Sequence, residues 1–174
     1  MGYRRTDPAV GDTGPVRRDS GVVRLTVDMQ RVVLQQGLGF VATVTADGRP
    51  NLSPKGTTTV WDETHLMFAD IASPGTIRNL AENPHVEINV VDPIVRKGYR
   101  FKGRASVHTA GEAYERGLQM LEERGYAVSP DRIRSIVVIE VSEASELISP
   151  AYADGASERE IAAMWLQRHS DRRR

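Results

Sequence analysis

The chain has 174 residues, and its 23 Lys and Arg balance its 23 Asp and Glu, so that the formal net charge is zero. Such a chain is not expected to attract nucleic acid or an anionic membrane surface. The absence of cysteine excludes disulfides, thiolate metal sites and cysteine nucleophiles. No apolar run approaches the roughly 20 residues that span a bilayer, and residues 1–24 lack the apolar stretch of a secretion signal. We therefore expect a soluble, cytoplasmic protein.

Composition along the chain divides it into three segments. Residues 1–24 are rich in Arg, Asp, Gly and Pro and are predicted to form a flexible N-terminal arm. Residues 25–150 are expected to form the folded domain, because a chain of this length holds a single core. Residues 151–174 are predicted to form a C-terminal helix followed by a basic tail.

The first predicted elements are a helix and three strands. Apolar side chains recur at helical spacing within residues 25–36. The β-branched run 40–45 predicts a strand, and the Asp-Gly pair at 47–48 is a strong hairpin signal. Two more strands are predicted over residues 50–60 and 65–69, each after a short turn. We expect these three strands to be neighbours in an antiparallel meander.

The remaining elements alternate between helices and strands. Either Ser73 or Thr76 is expected to cap a short helix within residues 77–83. Further strands are predicted at 85–91, 99–108 and 135–141, and further helices at 111–124 and 157–168. Six strands with turn signals and interspersed helices predict a mainly β, α+β protein built on a small closed or partly closed antiparallel barrel.

The second predicted strand carries a row of polar side chains. Asn51, Ser53, Lys55 and Thr57 share one face, because side chains alternate along a strand. Gly56 permits the close approach of a ligand or of another backbone. This face is either the solvated side of an edge strand or part of a binding site, and the segment alone does not decide between them.

A second candidate segment, residues 73–78, runs through a loop of small residues into a predicted helix. Unpaired N–H groups at a helix N-terminus favour an anion, and nearby hydroxyls and Arg78 strengthen the preference. An ordinary capped helix would explain the same residues. In a meander, however, Lys55 and this segment would converge, which favours a bound phosphate. The four histidines lack metal-ligand spacing, and neither a metal site nor a catalytic acid or base is predicted.

A series of motifs in a fixed order resembles a known family. In chain order they are Gly39-Phe40-Val41-Ala42-Thr43-Val44, Asp47-Gly48-x-Pro50, Ser53-Pro54-Lys55-Gly56, Phe68-Ala69-Asp70 and Thr76-x-Arg78-Asn79-Leu80-x-x-Asn83-Pro84, followed by Gly98, Lys102, Gly103 and Ala105. Over roughly residues 25–141 the chain resembles the pyridoxamine 5′-phosphate oxidase-related FMN-binding split-barrel family. The resemblance implies a six-stranded antiparallel split β-barrel with flanking helices, and a homodimer that binds FMN in a groove between its subunits.

The resemblance also implies roles for individual residues. The flavin ring and ribityl tail would be lined by Asn51, Ser53, Lys55 and Gly56. The floor of the groove would be formed by Phe68, Ala69 and Asp70. The phosphate would be held by Ser73, Thr76, Arg78 and Asn79. One position departs from the pattern, because many members have a lysine where this chain has Gly75.

The function that the resemblance implies is an FMN-dependent oxidoreductase or reductase of a small, partly aromatic or quinone-like molecule. Oxidation of vitamin B6 is not expected, because no segment of the chain convincingly matches the Arg-rich, substrate-binding C-terminal segment of pyridoxamine phosphate oxidase itself. Three alternatives stay open. They are a deazaflavin-dependent reductase using Arg96, Arg100 and Arg104, a haem protein using His65 or His108, and a flavin-binding protein without turnover.

Overall fold

The computed structural model describes residues 22–126 and 129–171. Most of the predicted arm and the last three residues of the basic tail lie outside these ranges. The described chain forms seven strands: β1 (Gly39–Val44), β2 (Pro50–Lys55), β3 (Thr59–Val60), β4 (His65–Asp70), β5 (His85–Asp92), β6 (Lys97–His108) and β7 (Ser135–Ile148). Its four α-helices are α1 (Val27–Gln36), α2 (Pro74–Glu82), α3 (Glu112–Glu123) and α4 (Glu158–Asp171).

One antiparallel sheet contains every strand, in the order β2-β1-β5-β6-β7-β4-β3. The two edge strands, β2 and β3, are consecutive in the chain and are joined only by residues 56–58. A link that short forces the sheet to curl until its two edges meet. The expected α+β split barrel is therefore confirmed, with seven strands in the described part of the chain and not six.

The additional strand arises because the predicted strand 50–60 is divided by a turn. The N–H of Thr58 and its hydroxyl both donate to the carbonyl of Lys55, over 3.3 and 2.9 Å. This reversal carries the chain from one edge of the sheet to the other. Both predicted hairpin pairings are present, since β1 pairs with β2 and β3 pairs with β4. The meander is nevertheless interrupted, because β2 and β3 lie at opposite edges of the sheet and β4 pairs on its other side with β7.

The main core fills the inside of the curled sheet. Its largest fully buried side chains include Phe68, Phe101, Leu66 and Ile88. Helix α1 closes this core with its buried residues Met29, Val32 and Val33. A second, smaller cluster lies on the other face of β4 and β7, where α3 covers Met67, Ile136 and Val138. The sheet therefore has apolar side chains on both faces at β4 and β7.

Helix α1 begins at a cap that the sequence encodes locally. The hydroxyl of Thr26 accepts a hydrogen bond from the N–H of Met29, and Gly37 ends the helix with a positive φ of 58°. Just before this cap, the N–H of Val23 donates to the carbonyl of Val141 over 2.8 Å. Val23 is buried, so the packed chain includes this residue near the end of the predicted arm.

Candidate functional site

A buried cation lies at one end of the barrel interior. Lys55, the last residue of β2, is only 5% exposed. Its Nζ lies 2.9 Å from Ser53 Oγ, 3.5 Å from Thr76 Oγ1 and 5.5 Å from the centre of the Phe68 ring. Within residues 22–126 and 129–171, no carboxylate forms an ion pair with it. Lys55 is therefore a buried charge surrounded by hydroxyls and one aromatic ring.

The surroundings of Lys55 change its proton affinity. Burial lowers the pKa of Lys55 below its usual value, and the negative charge of Asp70 opposes that shift without overcoming it. A buried ammonium group without an ion-pair partner is costly. An anion entering this end of the barrel would supply the missing charge.

The N-terminal turn of α2 lies close to Lys55, because it contains Thr76. Ser73 is the N-cap residue and Pro74 occupies the first helical position. The N–H and hydroxyl of Ser73 both donate to Asp70 Oδ1, over 2.9 and 2.6 Å, so its side chain does not cap the helix. The N–H groups of Gly75 and Thr76 in the first turn lack intrahelical acceptors. Among the described residues these N–H groups have no acceptor, and they belong to the helical turn whose Thr76 hydroxyl lies 3.5 Å from Lys55 Nζ.

A cleft of about 200 Å³ opens between the end of β2 and the loop that joins β4 to α2. Thr57 Oγ1 accepts a hydrogen bond from the N–H of Ala69 over 2.8 Å, which ties the two sides together. A Cβ atom added at Gly56 or at Gly75 would meet nothing within 4 Å. The cleft is lined by Ser53, Pro54, Lys55, Gly56, Thr57, Ala69, Ile71, Ala72 and Ser73.

Five of the predicted site residues are among these lining residues: Ser53, Lys55, Gly56, Ala69 and Ser73. Asp70 is buried and shapes the loop through Ser73. Phe68 is fully buried in the core beneath Lys55 and does not line the cleft. The side chain of Arg78 is exposed and makes no hydrogen bond or ion pair in the described part of the chain.

Thr76, Asn51 and Asn79, the other predicted residues, do not line the cleft. A hydroxyl that was not among the predicted site residues joins Asn51 to Asn79. Thr43 Oγ1 accepts hydrogen bonds from Asn51 Nδ2 over 3.2 Å and from Asn79 Nδ2 over 2.9 Å. Thr43 lies opposite Asn51 in the β1–β2 register and shares its face of the sheet. Strand alternation places Thr43 on the same face as Val41, which is the one signal in the sequence that indicates its inward position.

The arginines expected for a deazaflavin and the histidines expected for haem lie outside the cleft beside Lys55. Arg100 and Arg104 alternate with the buried Phe101 on β6 and therefore occupy the face of the sheet opposite the core. The guanidinium of Arg96 stacks on Trp165, 4.2 Å from the ring centre. His65 Nδ1 lies 2.8 Å from Asp62 Oδ1, and His108 Nε2 lies 2.9 Å from Ser106 Oγ. None of these side chains lines the cleft.

A second cleft, of about 220 Å³, lies between α1 and the β5–β6 hairpin. Several of its charged groups pair with one another. Asp28 accepts hydrogen bonds from Tyr99 and Arg31, and Lys97 forms an ion pair with Glu158 at 3.0 Å.

The described residues contain no group of three or more side chains suited to a metal ion, and no described helix is long and apolar enough to cross a membrane.

The curled sheet defines a split-barrel protein. Its cationic cleft lies where the two edges of the sheet meet. The chain belongs to the pyridoxamine 5′-phosphate oxidase family, whose model matches residues 25–147. This membership confirms the resemblance noted in the sequence. No curated protein matches the chain.

Several solved structures share the fold. HupZ of Group A Streptococcus is 30% identical, with 71% of this chain and 94% of that chain covered at a TM-score of 0.64. An FMN-binding protein from Syntrophomonas wolfei is 14% identical, with coverage of 69% and 84% and a TM-score of 0.57. A protein described as F420 reductase is 20% identical, with coverage of 69% and 98% and a TM-score of 0.56. The last two likenesses concern the fold alone.

Proposed function

We propose that this protein binds FMN and acts as an FMN-dependent oxidoreductase of a small molecule. The observation that carries the proposal is the buried ammonium group of Lys55, which faces the free N–H groups of α2 and has no ion-pair partner in the described residues. A phosphate monoester supplies an anion that both features favour. The family and its FMN-binding fold relative support the flavin as the group that carries this phosphate.

The residues present fit such a group. Lys55, Ser53 and the first turn of α2 would hold the phosphate, and the small residues Gly56 and Ala72 leave room beside it. When bound, the flavin supplies hydride or electron transfer. The chain then has to bind, orient and shield it, and needs no acid or base of its own. This division of work agrees with a cleft that holds a buried cation and several hydroxyls.

We further propose that a second copy of the chain completes the groove. Strand alternation turns Phe40 and Leu52 to the outer face of β1 and β2, where they are 43% and 65% exposed. Val44 adds to the same face and is 38% exposed. An apolar patch of this kind on an edge of the sheet favours a protein partner, and β2 connects it directly to Lys55. A cytoplasmic location is part of the same proposal.

Titration of the purified protein with FMN and riboflavin tests the phosphate role, because the two ligands differ only in the phosphate. We expect Lys55→Ala to weaken FMN binding about 10- to 100-fold while riboflavin changes about twofold or less. Arg78→Ala should give a smaller loss of the same kind, because its side chain is exposed. Lys97→Ala, which removes a lysine paired with Glu158, serves as the control and should bind FMN normally.

The absorption spectrum of the purified protein, with parallel titrations of a deazaflavin and of haem, decides between the cofactors. Preferential binding of FMN supports the proposal. Equal losses of FMN and riboflavin in Lys55→Ala would contradict a phosphate contact. A protein that binds none of the flavins would contradict the function as a whole.

A further inference from the structure

Thr43 carries a buried hydroxyl that contacts two of the predicted site residues, Asn51 and Asn79, neither of which lines the cleft beside Lys55. It lies on the inward face of β1 and is only 2% exposed. The carboxamide nitrogen of Asn51 approaches it from β2, and that of Asn79 approaches it from α2. One side chain of β1 therefore forms hydrogen bonds with two carboxamides from different parts of the chain.

A single hydroxyl between two carboxamides restricts their orientation. A threonine hydroxyl has one proton to donate, so it can serve at most one carboxamide oxygen. At least one of the two amides must therefore turn its NH₂ group toward Thr43, and in the structure both do. In the described part of the chain, neither Asn51 Oδ1 nor Asn79 Oδ1 accepts a hydrogen bond. These two acceptors are thus left without a donor among the described residues.

We propose that Thr43 is a positioning residue that holds Asn51 and Asn79 with their carboxamide oxygens available to donors of the ligand. The inference rests on the proposed flavin function. The site then has two chemically distinct parts. Lys55 and the first turn of α2 donate to a phosphate, whereas the two carboxamides accept from uncharged groups, such as the ribityl hydroxyls or the imide N–H of a flavin.

Two substitutions at Thr43 separate the hydroxyl from the shape of the side chain. Thr43→Val removes the hydroxyl and keeps the branching, whereas Thr43→Ser keeps the hydroxyl. We expect Thr43→Val to weaken FMN and riboflavin by the same factor, about tenfold, so that their affinity ratio is unchanged. Thr43→Ser should stay within about twofold of the wild type. The visible absorption band of bound FMN should shift in Thr43→Val and return in Thr43→Ser.

Thr59→Val is the matched control, because Thr59 is also buried but its hydroxyl accepts from Arg124 at the other edge of the sheet. Thermal unfolding of each variant reports on folding. Wild-type flavin binding by Thr43→Val would overturn the inference and leave the proposed function intact. A loss confined to FMN would overturn it as well, because it would place Thr43 in the phosphate contact.

A second variant covers the case in which Thr43→Val does not fold. Asn51→Ala removes, without adding a charge, the carboxamide that Thr43 holds, so it should weaken FMN and riboflavin to the same extent. Unchanged binding of both flavins by Asn51→Ala would overturn the inference. A wild-type protein that binds no flavin is a different outcome, since it would contradict the proposed function itself and the inference with it.

Discussion

Lys55 differs from the other lysines of the chain in its surroundings. Lys97 and Lys102 are partly exposed and pair with Glu158 and Glu143. Lys55 is buried against two hydroxyls and the ring of Phe68. Lys55 has no ion-pair partner among the described residues, and a buried charge of this kind costs folding free energy, so binding explains its presence better than stability does.

The pKa of Lys55 predicts how flavin binding depends on pH. Burial lowers this pKa in the free protein, and a bound phosphate dianion would raise it. Binding would then take up a proton between the two values, so FMN affinity should fall as pH rises through the pKa of free Lys55, below 10.5. Titration calorimetry in the alkaline range measures this dependence. In Lys55→Arg the affinity should stay flat over the same range, and an identical decline in both proteins would refute the assignment.

Gly75 stands where many members of the family have a lysine. A side chain at this position would meet nothing within 4 Å, and it would lie in the first turn of α2 beside Thr76. We expect Gly75→Lys to tighten FMN binding about tenfold, or about 1.4 kcal/mol, because it adds a cation next to the phosphate. Riboflavin titration of the same variant is the control. A similar gain for riboflavin would argue against a phosphate at this end of α2.

At the scale of elements, the two edges of the sheet are protected in different ways from pairing with a strand of another molecule. On β2, Pro50 and Pro54 have no N–H to offer to another strand. On the other edge, Arg124 donates to the carbonyl of Val60 over 2.9 Å and Arg116 donates to that of Trp61 over 3.2 Å. Arg116 lies within α3, and Arg124 is the residue that follows its last turn. Helix α3 therefore both covers the second apolar cluster and blocks the edge at β3.

The docking of α3 depends on the absence of one side chain. A Cβ atom added at Gly117 would lie 2.6 Å from the Cγ1 atom of the fully buried Ile136 on β7. We expect Gly117→Ala to destabilise the protein by about 1–3 kcal/mol, because the packed cluster must shift to admit the methyl group. Urea unfolding measures the change. The matched control is Gly75→Ala, which meets no neighbour and should leave the free energy of unfolding close to that of the wild type.

At the scale of the whole molecule, the curl of the sheet creates the cleft. Strands β2 and β4 lie far apart in the order of the sheet, yet Thr57 Oγ1 binds the N–H of Ala69. The site exists only where the two edges approach each other. The outer face of β1 and β2, with its exposed apolar side chains, lies on the opposite side of the same strands.

The proposed dimer predicts the effect of a charge on that outer face. Leu52 is 65% exposed, and Leu52→Asp would bury an unpaired carboxylate in the proposed interface. We expect this variant to be monomeric by light scattering and to bind FMN at least tenfold more weakly. Val27→Asp is the control, because Val27 is 85% exposed on α1, and it should remain dimeric. A wild-type protein that is itself monomeric would exclude the shared groove.

Local patterns predicted most elements close to their observed bounds. Helix α2 was expected within residues 77–83 and begins at Pro74, and Ser73, one of its two candidate caps, is the observed N-cap. The predicted approach of Lys55 to Thr76 is also found, at 3.5 Å. The end of β4 lies beside the second predicted strand as expected, because the N–H of Ala69 binds Thr57. That strand is divided at residues 56–58, however, so the approach depends on the meeting of the two sheet edges. No local pattern reports which strands pair across the sheet.

The sequence by itself determined most of the strands, the region where α2 begins and the alternation that turns Ser53 and Lys55 inward, because turn chemistry and periodicity act between near neighbours. It also determined the family, through the order of its motifs. Only the tertiary structure decided that residues 56–58 divide one predicted strand into two, that the sheet closes around Lys55, and that Thr43 joins Asn51 to Asn79. These features rest on contacts between residues distant in the chain, whose partners are chosen by the packing of the whole sheet.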